Sequence, residues 1–144
     1  MAGEYNETPH SEDGPIKTVS NLTEYKFYVP SYQRGYRWTK QEVEDLLEDI
    51  ASFTPREVSG DGRTTWYCLQ PLIVRKRQND SNYEVIDGQQ RLTTILLIGK
   101  YINEMWRGRE KDPEISLTYE SREKTAEFFR SLCVGADGVV EINK

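Results

Sequence analysis

The chain has few of the residues that build metal centres and disulfide frameworks. Among its 144 residues there are one histidine and two cysteines. Cys68 and Cys133 lie in apolar sequence surroundings without Cys-x-x-Cys spacing, which predicts reduced core thiols in a cytoplasmic protein. One histidine and two scattered cysteines form no zinc-ligand pattern. We therefore expect no zinc, and equally no haem or flavin.

Long apolar runs are also missing. No segment approaches the roughly 18 consecutive apolar residues that a membrane span needs, and no signal peptide is visible. Hydrophobic residues make up 36% of the chain and charged residues 30%, which is typical of a soluble globular protein. The length of 144 residues predicts one domain with a modest core and no membrane partner.

The chain has no excess of positive charge, since its net charge is −5. Residues 1–15 carry four acidic and no basic side chains, so residues 16–144 have a net charge of −1. Those first residues are polar, with two prolines and two glycines, and are predicted to form a disordered tail before one domain over residues 16–144. A nearly neutral domain with clustered arginines suits one anionic ligand better than a long DNA groove. DNA contact through a small basic patch such as Arg75-Lys76-Arg77 is not excluded.

The most informative segment is residues 83–94. A β-rich run over residues 83–86 breaks at Asp87-Gly88, and the apolar spacing that follows predicts a helix over residues 89–106. A strand, a glycine turn and a helix start leave backbone N–H groups unpaired at the positive end of the helix dipole. Arg91 in the first helical turn adds donors, so the segment is typical of an anion site suited to phosphate.

Two interpretations of the polar residues in this segment stay open. In the first, Gln89 and Gln90 reach a base, a ribose or a water. In the second, Asp87 caps the helix with Gln90 as its capping-box partner, and the polar side chains are solvated.

A second polar segment, residues 27–38, also leads into a helix. After Pro30 it carries Gln33, Arg34, Arg37 and three aromatic residues without an acidic one. Thr39-Lys40-Gln41-Glu42 follows as a capping box and predicts a helix to about Phe53. The alternative interpretation is a surface loop whose aromatic side chains fasten the helix to the core.

The remaining pattern predicts an α+β fold. Further expected elements are a strand or short helix at 16–22, an extended segment at 25–29, a β-hairpin of 66–77 and 83–86 around the turn 78–82, a strand at 114–118, and a helix at 121–132 with Phe128, Phe129 and Leu132 inward.

Both polar segments carry a family resemblance. Pro-x-Tyr-Gln-Arg-x-Tyr-x-Trp at 30–38 and Ile-Asp-Gly-Gln-Gln-Arg-Leu-Thr-Thr at 86–94 resemble the two signatures of the N-terminal domain of GmrSD-type restriction endonucleases, in the ParB/sulfiredoxin-like superfamily. The resemblance runs from about Asn21 to the end and includes residues 117–122, while Gln70 stands where the family usually has glycine. It implies a compact ParB/sulfiredoxin-like core, a small mixed sheet with flanking helices, truncated before a helical continuation.

The resemblance implies a nucleotide-binding module of an anti-phage, modification-dependent restriction system. Such a module is expected to bind a nucleoside triphosphate with Mg²⁺ and, in the full-length protein, to hydrolyse it. The absence of a Walker sequence excludes a P-loop ATPase. The expected catalytic residues are Asp87, Gln90 and Arg91, with Asp87 also holding the metal. The expected nucleotide-binding residues are Gln33, Arg34, Arg37, Gly88, Gln89, Thr93 and Thr94.

A second function remains open from the aromatic residues. Tyr32, Tyr36 and Trp38 are candidates for a cage that senses a modified base or backbone in DNA, without nucleotide chemistry. DNA is an expected partner of the full-length protein, together with helical and nuclease regions or a partner subunit. The only histidine, His10, lies in the predicted tail, so the chain is not expected to be an HNH nuclease.

Overall fold

The computed structural model of the chain describes residues 2–3, 16–58, 60, 62–106 and 110–142. They belong to two compact units, one made of residues 1–18 and 38–71 and the other of residues 19–37 and 72–144. Most of the predicted disordered tail lies outside the described residues; its described part, Ala2–Gly3, is strand β1. No helix in the described part of the chain is long and apolar enough to cross a bilayer.

The first unit contains helix α1 (Lys40–Ser52) and a short antiparallel pairing of β1 with β3 (Trp66–Tyr67). The predicted capping box is confirmed, because the Thr39 backbone N–H donates to Glu42 at 2.7 Å and the Thr39 side chain accepts from the helix start. Of the apolar stripe on α1, Leu46 is buried while Leu47 and Ile50 are exposed within the described residues.

The second unit is organised by a mixed sheet of β2 (Lys26–Val29), β4 (Ile73–Lys76), β5 (Tyr83–Asp87) and β6 (Ser116–Tyr119). Its strand order is β4-β5-β2-β6. Strand β2 runs parallel to both β5 and β6, and β4 pairs antiparallel with β5, as predicted for the hairpin. A 3₁₀ turn at Ser20–Glu24 precedes β2. The expected α+β class, a small mixed sheet with flanking helices, is confirmed.

Helix α2 (Gln89–Met105) follows β5 after a single residue and packs its apolar side on the sheet. Leu92 and Leu96, one helical turn apart, join alternating side chains of β2 and β6 in the core. The buried cluster comprises Phe27, Val29, Val85, Leu92, Leu96, Ile115, Leu117 and Tyr119. The helix start is therefore fixed directly against the sheet.

The end of the described chain differs in detail from the prediction. Helix α3 (Thr125–Ser131) starts later than expected, because residues 119–125 form consecutive tight turns, with Arg122 N donating to Tyr119 O at 3.1 Å. Phe129 packs on the core, whereas Phe128 is 47% exposed, so its predicted inward orientation is wrong. The chain then forms a hairpin of β7 (Leu132–Val134) and β8 (Val140–Ile142).

The two cysteines are free thiols, as predicted, but they do not lie in the core. Cys68 is exposed and Cys133 is half-buried. The apolar residues around Cys68 in the sequence therefore do not cover it.

Candidate functional site

The start of helix α2 is built around a glycine. Gly88 has φ +92°, a left-handed conformation that side chains with a Cβ rarely adopt. The helix has no side-chain cap hydrogen bond at this end. The interpretation in which Asp87 caps the helix with Gln90 is therefore wrong, because Asp87 is still part of strand β5. Backbone N–H groups of the first turn stay without a side-chain cap, as an anion site requires.

The two glutamines that follow the glycine hold the segment of residues 33–37. The Gln89 amide donates to the carbonyl oxygen of Arg34. The Gln90 amide donates to Gly35 O at 3.0 Å, and its oxygen accepts from Arg37 N at 2.6 Å. All three bonds use the backbone of the held segment. We call this set of bonds the glutamine clamp.

A third glutamine extends the clamp from the opposite side, since Gln33 Nε2 donates to Ile86 O at 2.8 Å. Residues of the two sequence motifs therefore lie against each other within the second unit. The amide nitrogens of all three glutamines donate to backbone carbonyls, which favours a positioning role for these side chains. A direct contact of Gln33, Gln89 or Gln90 with a nucleotide, and catalysis by Gln90, stay predictions.

The two threonines of the motif anchor tyrosines. Thr93 and Thr94 are each 2% exposed, and each hydroxyl donates to the helix carbonyl four residues earlier. A hydroxyl has one hydrogen, so the neighbouring tyrosines must donate to these oxygens. Tyr119 contacts Thr93 at 2.6 Å, and Tyr36 contacts Thr94 at 2.9 Å. The threonine hydroxyls are thus satisfied inside the protein, and their predicted contact with a nucleotide stays untested.

The charged candidates surround this junction. Arg34 and Arg37 are exposed, and within the described residues neither side chain forms an ion pair. Arg91 is half-buried in the first turn of α2, and Asp87 is exposed. No group of three His, Cys, Asp or Glu side chains in the described ranges is arranged to hold a metal. Binding of Mg²⁺ by Asp87 stays a prediction, and it would need phosphate oxygens as further ligands.

One buried polar atom lacks a partner. Gln89 is 5% exposed, and its Oε1 has no hydrogen-bond donor within the described part of the chain. Leaving such an acceptor unsatisfied costs about 1–3 kcal/mol. A donor from a bound molecule would remove this cost. The junction thus contains one acceptor that the protein itself does not satisfy.

A charged network on the sheet was not predicted from the sequence. Glu84 in β5 is 9% exposed, yet it accepts from Tyr32 at 2.7 Å and from Arg75 Nη2 at 2.9 and 3.0 Å. Arg75 and Glu84 are directly opposite each other in the β4–β5 register. The predicted hairpin was the sequence signal that could have indicated this ion pair, because residues opposite each other in a hairpin interact. Because Arg75 and Arg77 both have acidic partners, the basic patch offers less free charge than its sequence indicates.

This network gives a pH-dependent contribution to stability. Hydrogen bonds from Arg75, and then from Tyr32, hold the pKa of the Glu84 carboxyl below its ordinary value of 4.5. The folded state therefore takes up this proton only at lower pH than the unfolded chain does. Glu84 contributes stability above pH 4.5, and the contribution is lost as the pH falls through its folded-state pKa.

We expect Arg75→Gln to lower the melting temperature near neutral pH, with a difference from the native chain that shrinks to zero on acidification below the folded-state pKa of Glu84. Thermal melts from neutral pH down to about pH 2, roughly two units below an ordinary glutamate pKa, would measure this difference. Lys76→Gln, at the neighbouring exposed position, is the control and should show no such pH dependence. A difference that persists unchanged at the acidic end contradicts the assignment.

The aromatic candidates are held by different elements. The Tyr32 ring is 66% exposed and its hydroxyl bonds to Glu84 of β5, whereas half-buried Tyr36 bonds to Thr94 of α2. Trp38 belongs to the first unit. Of the two motif tyrosines in the second unit, Tyr32 is the more exposed.

The sequence of this chain matches a known protein family. The family model of the GmrSD restriction endonuclease N-terminal domain matches residues 16–143. The chain belongs to this family, which confirms the resemblance of its two motifs. The chain is also similar to an uncharacterized protein of Methanocaldococcus jannaschii, with 28% identity over 102 residues. That match covers 62% of this chain and 17% of the relative. No solved structure matches the chain.

Proposed function

We propose that this chain is the nucleotide-binding module of a modification-dependent restriction system, and that it binds a nucleoside triphosphate with Mg²⁺ at the start of α2. The observation that carries the proposal is the glutamine clamp, which holds a segment against a helix start without a side-chain cap. This segment carries two exposed arginines, Arg34 and Arg37, whose side chains form no ion pair within the described residues. Membership in the GmrSD N-terminal family supports the restriction role.

Phosphate is the chemistry that this arrangement favours. Helix α2 is 17 residues long, and its first N–H groups lie at the positive end of the helix dipole. Gly88 has no side chain, so an anion can approach the backbone closely. Arg34 and Arg37 add guanidinium groups, whose planar forks match phosphate oxygens. Since residues 16–144 are nearly neutral overall, this positive potential is local and suits a small polyanion.

Hydrolysis would follow from the same groups. In the transition state of phosphoryl transfer, negative charge is spread over the oxygens of the transferred group. Stabilising that charge is the main demand on the protein. Arg34 and Arg37 would meet part of this demand, and Asp87, at the end of β5, would hold Mg²⁺ or orient a water. We infer that the complete protein hydrolyses the nucleotide, with Arg91 contributing from the first turn of α2.

We expect Arg34→Gln to weaken nucleoside triphosphate binding about 10- to 100-fold, the loss of one charge-assisted contact of roughly 1.5–3 kcal/mol. The fold should be unaffected, because the clamp uses the backbone carbonyl of Arg34 and not its side chain. Isothermal titration calorimetry with each NTP and Mg²⁺ gives the affinity. Arg130→Gln, an exposed arginine of α3, is the matched control.

Two results would contradict the proposal. The first is no heat or melting shift with any NTP at millimolar concentration. The second is equal weakening by Arg34→Gln and Arg130→Gln, since that would trace the effect to overall charge.

The second candidate function, sensing of modified DNA, is favoured by one observation. The ring of Tyr32 is two-thirds exposed while its hydroxyl is fixed by Glu84, so the ring is presented in a defined orientation. A fixed exposed ring suits stacking on an unpaired base. Binding of glucosylated or methylated duplexes without nucleotide, abolished by Tyr32→Ala but not by Arg34→Gln, would favour this function over the first.

A further inference from the structure

A pocket of about 810 Å³ lies within the second unit, beside the clamped segment and away from the β4–β5 hairpin. Its size falls in the range of about 300–1,000 Å³ that small-molecule sites occupy. Gly35 and Tyr36 line it together with Thr93 and Leu97 of α2, and further lining residues come from the turns after β6 and from α3. The site residues identified from the sequence do not include those of the turns and α3.

The pocket has aromatic walls. Tyr36, Tyr119, Phe128 and Phe129 all line it, and the two phenylalanine rings lie 5.9 Å apart between centroids at 53°. Phe128, which does not pack in the core, is 47% exposed. Aromatic rings facing a cavity offer stacking surfaces to a planar heterocycle.

Two of these rings are held rigidly. The hydroxyls of Tyr36 and Tyr119 bond to the two buried threonines of α2, so neither ring can turn away without breaking a hydrogen bond. A ligand entering this pocket would meet walls that are already ordered, which lowers the entropic cost of binding.

The pocket lining contains two basic and two acidic side chains. Arg122 and Lys124 line it, and in the described part of the chain neither side chain has an ion-pair partner. Glu120 and Glu123 line it as well, but the Glu120 carboxylate already accepts from Ser31 N at 2.6 Å. The guanidinium of Arg122 lies against the clamped segment, since a Cβ on Gly35 would be 3.4 Å from its Nη2.

The position of the pocket in the chain connects it to phosphate. Gly35 and Tyr36 line the pocket, and the residues on either side of them are the exposed Arg34 and Arg37. Consecutive Cα atoms are about 3.8 Å apart, so both arginine backbones adjoin the pocket wall. A ligand with an aromatic part and an anionic part fits this combination.

We propose that this pocket holds the base of the nucleotide, stacked on Phe128 and Tyr36, with Arg122 next to the phosphates. The inference rests on the proposed function and adds the part of the ligand that the start of α2 does not recognise. It predicts that the base contributes to affinity, so that the nucleoside triphosphate binds more tightly than inorganic tripolyphosphate.

We expect Phe128→Ala to weaken binding of the nucleoside triphosphate about 5- to 100-fold, the range found when a base-stacking aromatic residue is removed. Tripolyphosphate binding should not change, because the phosphate groups do not contact this ring. Calorimetric titration of both ligands with Mg²⁺ measures the effect. Glu127→Ala, next to Phe128 on α3, is the control for helix perturbation, and Phe128→Leu tests aromaticity at similar volume.

The outcomes separate the two proposals. If the triphosphate and tripolyphosphate bind equally well, or if Phe128→Ala and Phe128→Leu change the affinity for neither ligand, the pocket does not hold the base. The proposed phosphate site is not contradicted by that result. If neither ligand binds the native chain, the proposed function fails and this inference with it. The assignment is supported if the Phe128 variants lose affinity for the triphosphate and keep their affinity for tripolyphosphate. It also requires that Arg122→Gln binds the triphosphate more weakly than Arg130→Gln does.

Discussion

Replacement of Leu92 by alanine is expected to lower the free energy of unfolding by about 2–5 kcal/mol, as is typical of a leucine truncated in a packed core. Leu92 belongs to the second motif, directly after the arginine of its first helical turn, yet it is 2% exposed and packs in the central cluster of the second unit. Its removal leaves a cavity between α2 and the sheet. Chemical denaturation followed by circular dichroism measures the change.

Ile102→Ala is the control for this prediction. It lies on the same helix and removes an aliphatic side chain, but Ile102 is 42% exposed, so the cost should be well below that of Leu92→Ala. Equal losses for the two variants would mean that the start of α2 is not fixed by the core.

Replacement of Gly88 by valine is expected to destabilise the second unit by about 1–3 kcal/mol, because a β-branched residue is forced into left-handed backbone conformation. Gly88 has φ +92° and connects β5 to α2 without another residue between them. A relaxed turn would shift Gln89 and Gln90, so the glutamine clamp should open together with the turn. Thermal melts combined with nucleotide titration measure both effects.

Gly88→Asn distinguishes backbone geometry from ligand access. Asparagine tolerates left-handed conformation far better than valine, so this variant should retain most of the stability. If phosphate must approach the Gly88 backbone, the asparagine side chain should still weaken binding. An asparagine variant that binds as well as the native chain would mean that the glycine serves the turn alone.

Local sequence patterns predicted the secondary structure of this chain well. The capping box at Thr39, the helix after Gly88 and the hairpin around residues 78–82 were all recognised because each depends on neighbours in the sequence. The start of α3 was placed too early, since the turns before it depend on bonds to the end of β6. The exposure of Phe128 could not be read from helical spacing, because the pocket beside it is formed by distant segments.

The candidate site residues come from two motifs, and in the structure these motifs contact each other. Whether the contact forms a nucleotide site stays a prediction. Which groups of Gln89 and Gln90 face a ligand could not be predicted, because their backbone partners lie 55 residues earlier in the sequence. An even longer separation in the sequence conceals the contact of Arg122 with Gly35, which belongs to the first motif. A sequence read one segment at a time identifies these residues as polar without assigning them partners.

The strand order of the sheet has a consequence for how the chain folds during synthesis. Strand β2 lies between β5 and β6, and the contact between Phe27 and Thr118 spans 91 positions of the chain. Contacts of such long range form slowly, because a long loop must close before any pairing is gained. During synthesis on a ribosome, one edge of β2 therefore stays unpaired until β6 has emerged. Until then its edge is exposed to pairing with other nascent chains, a period in which a chaperone would protect the protein from aggregation.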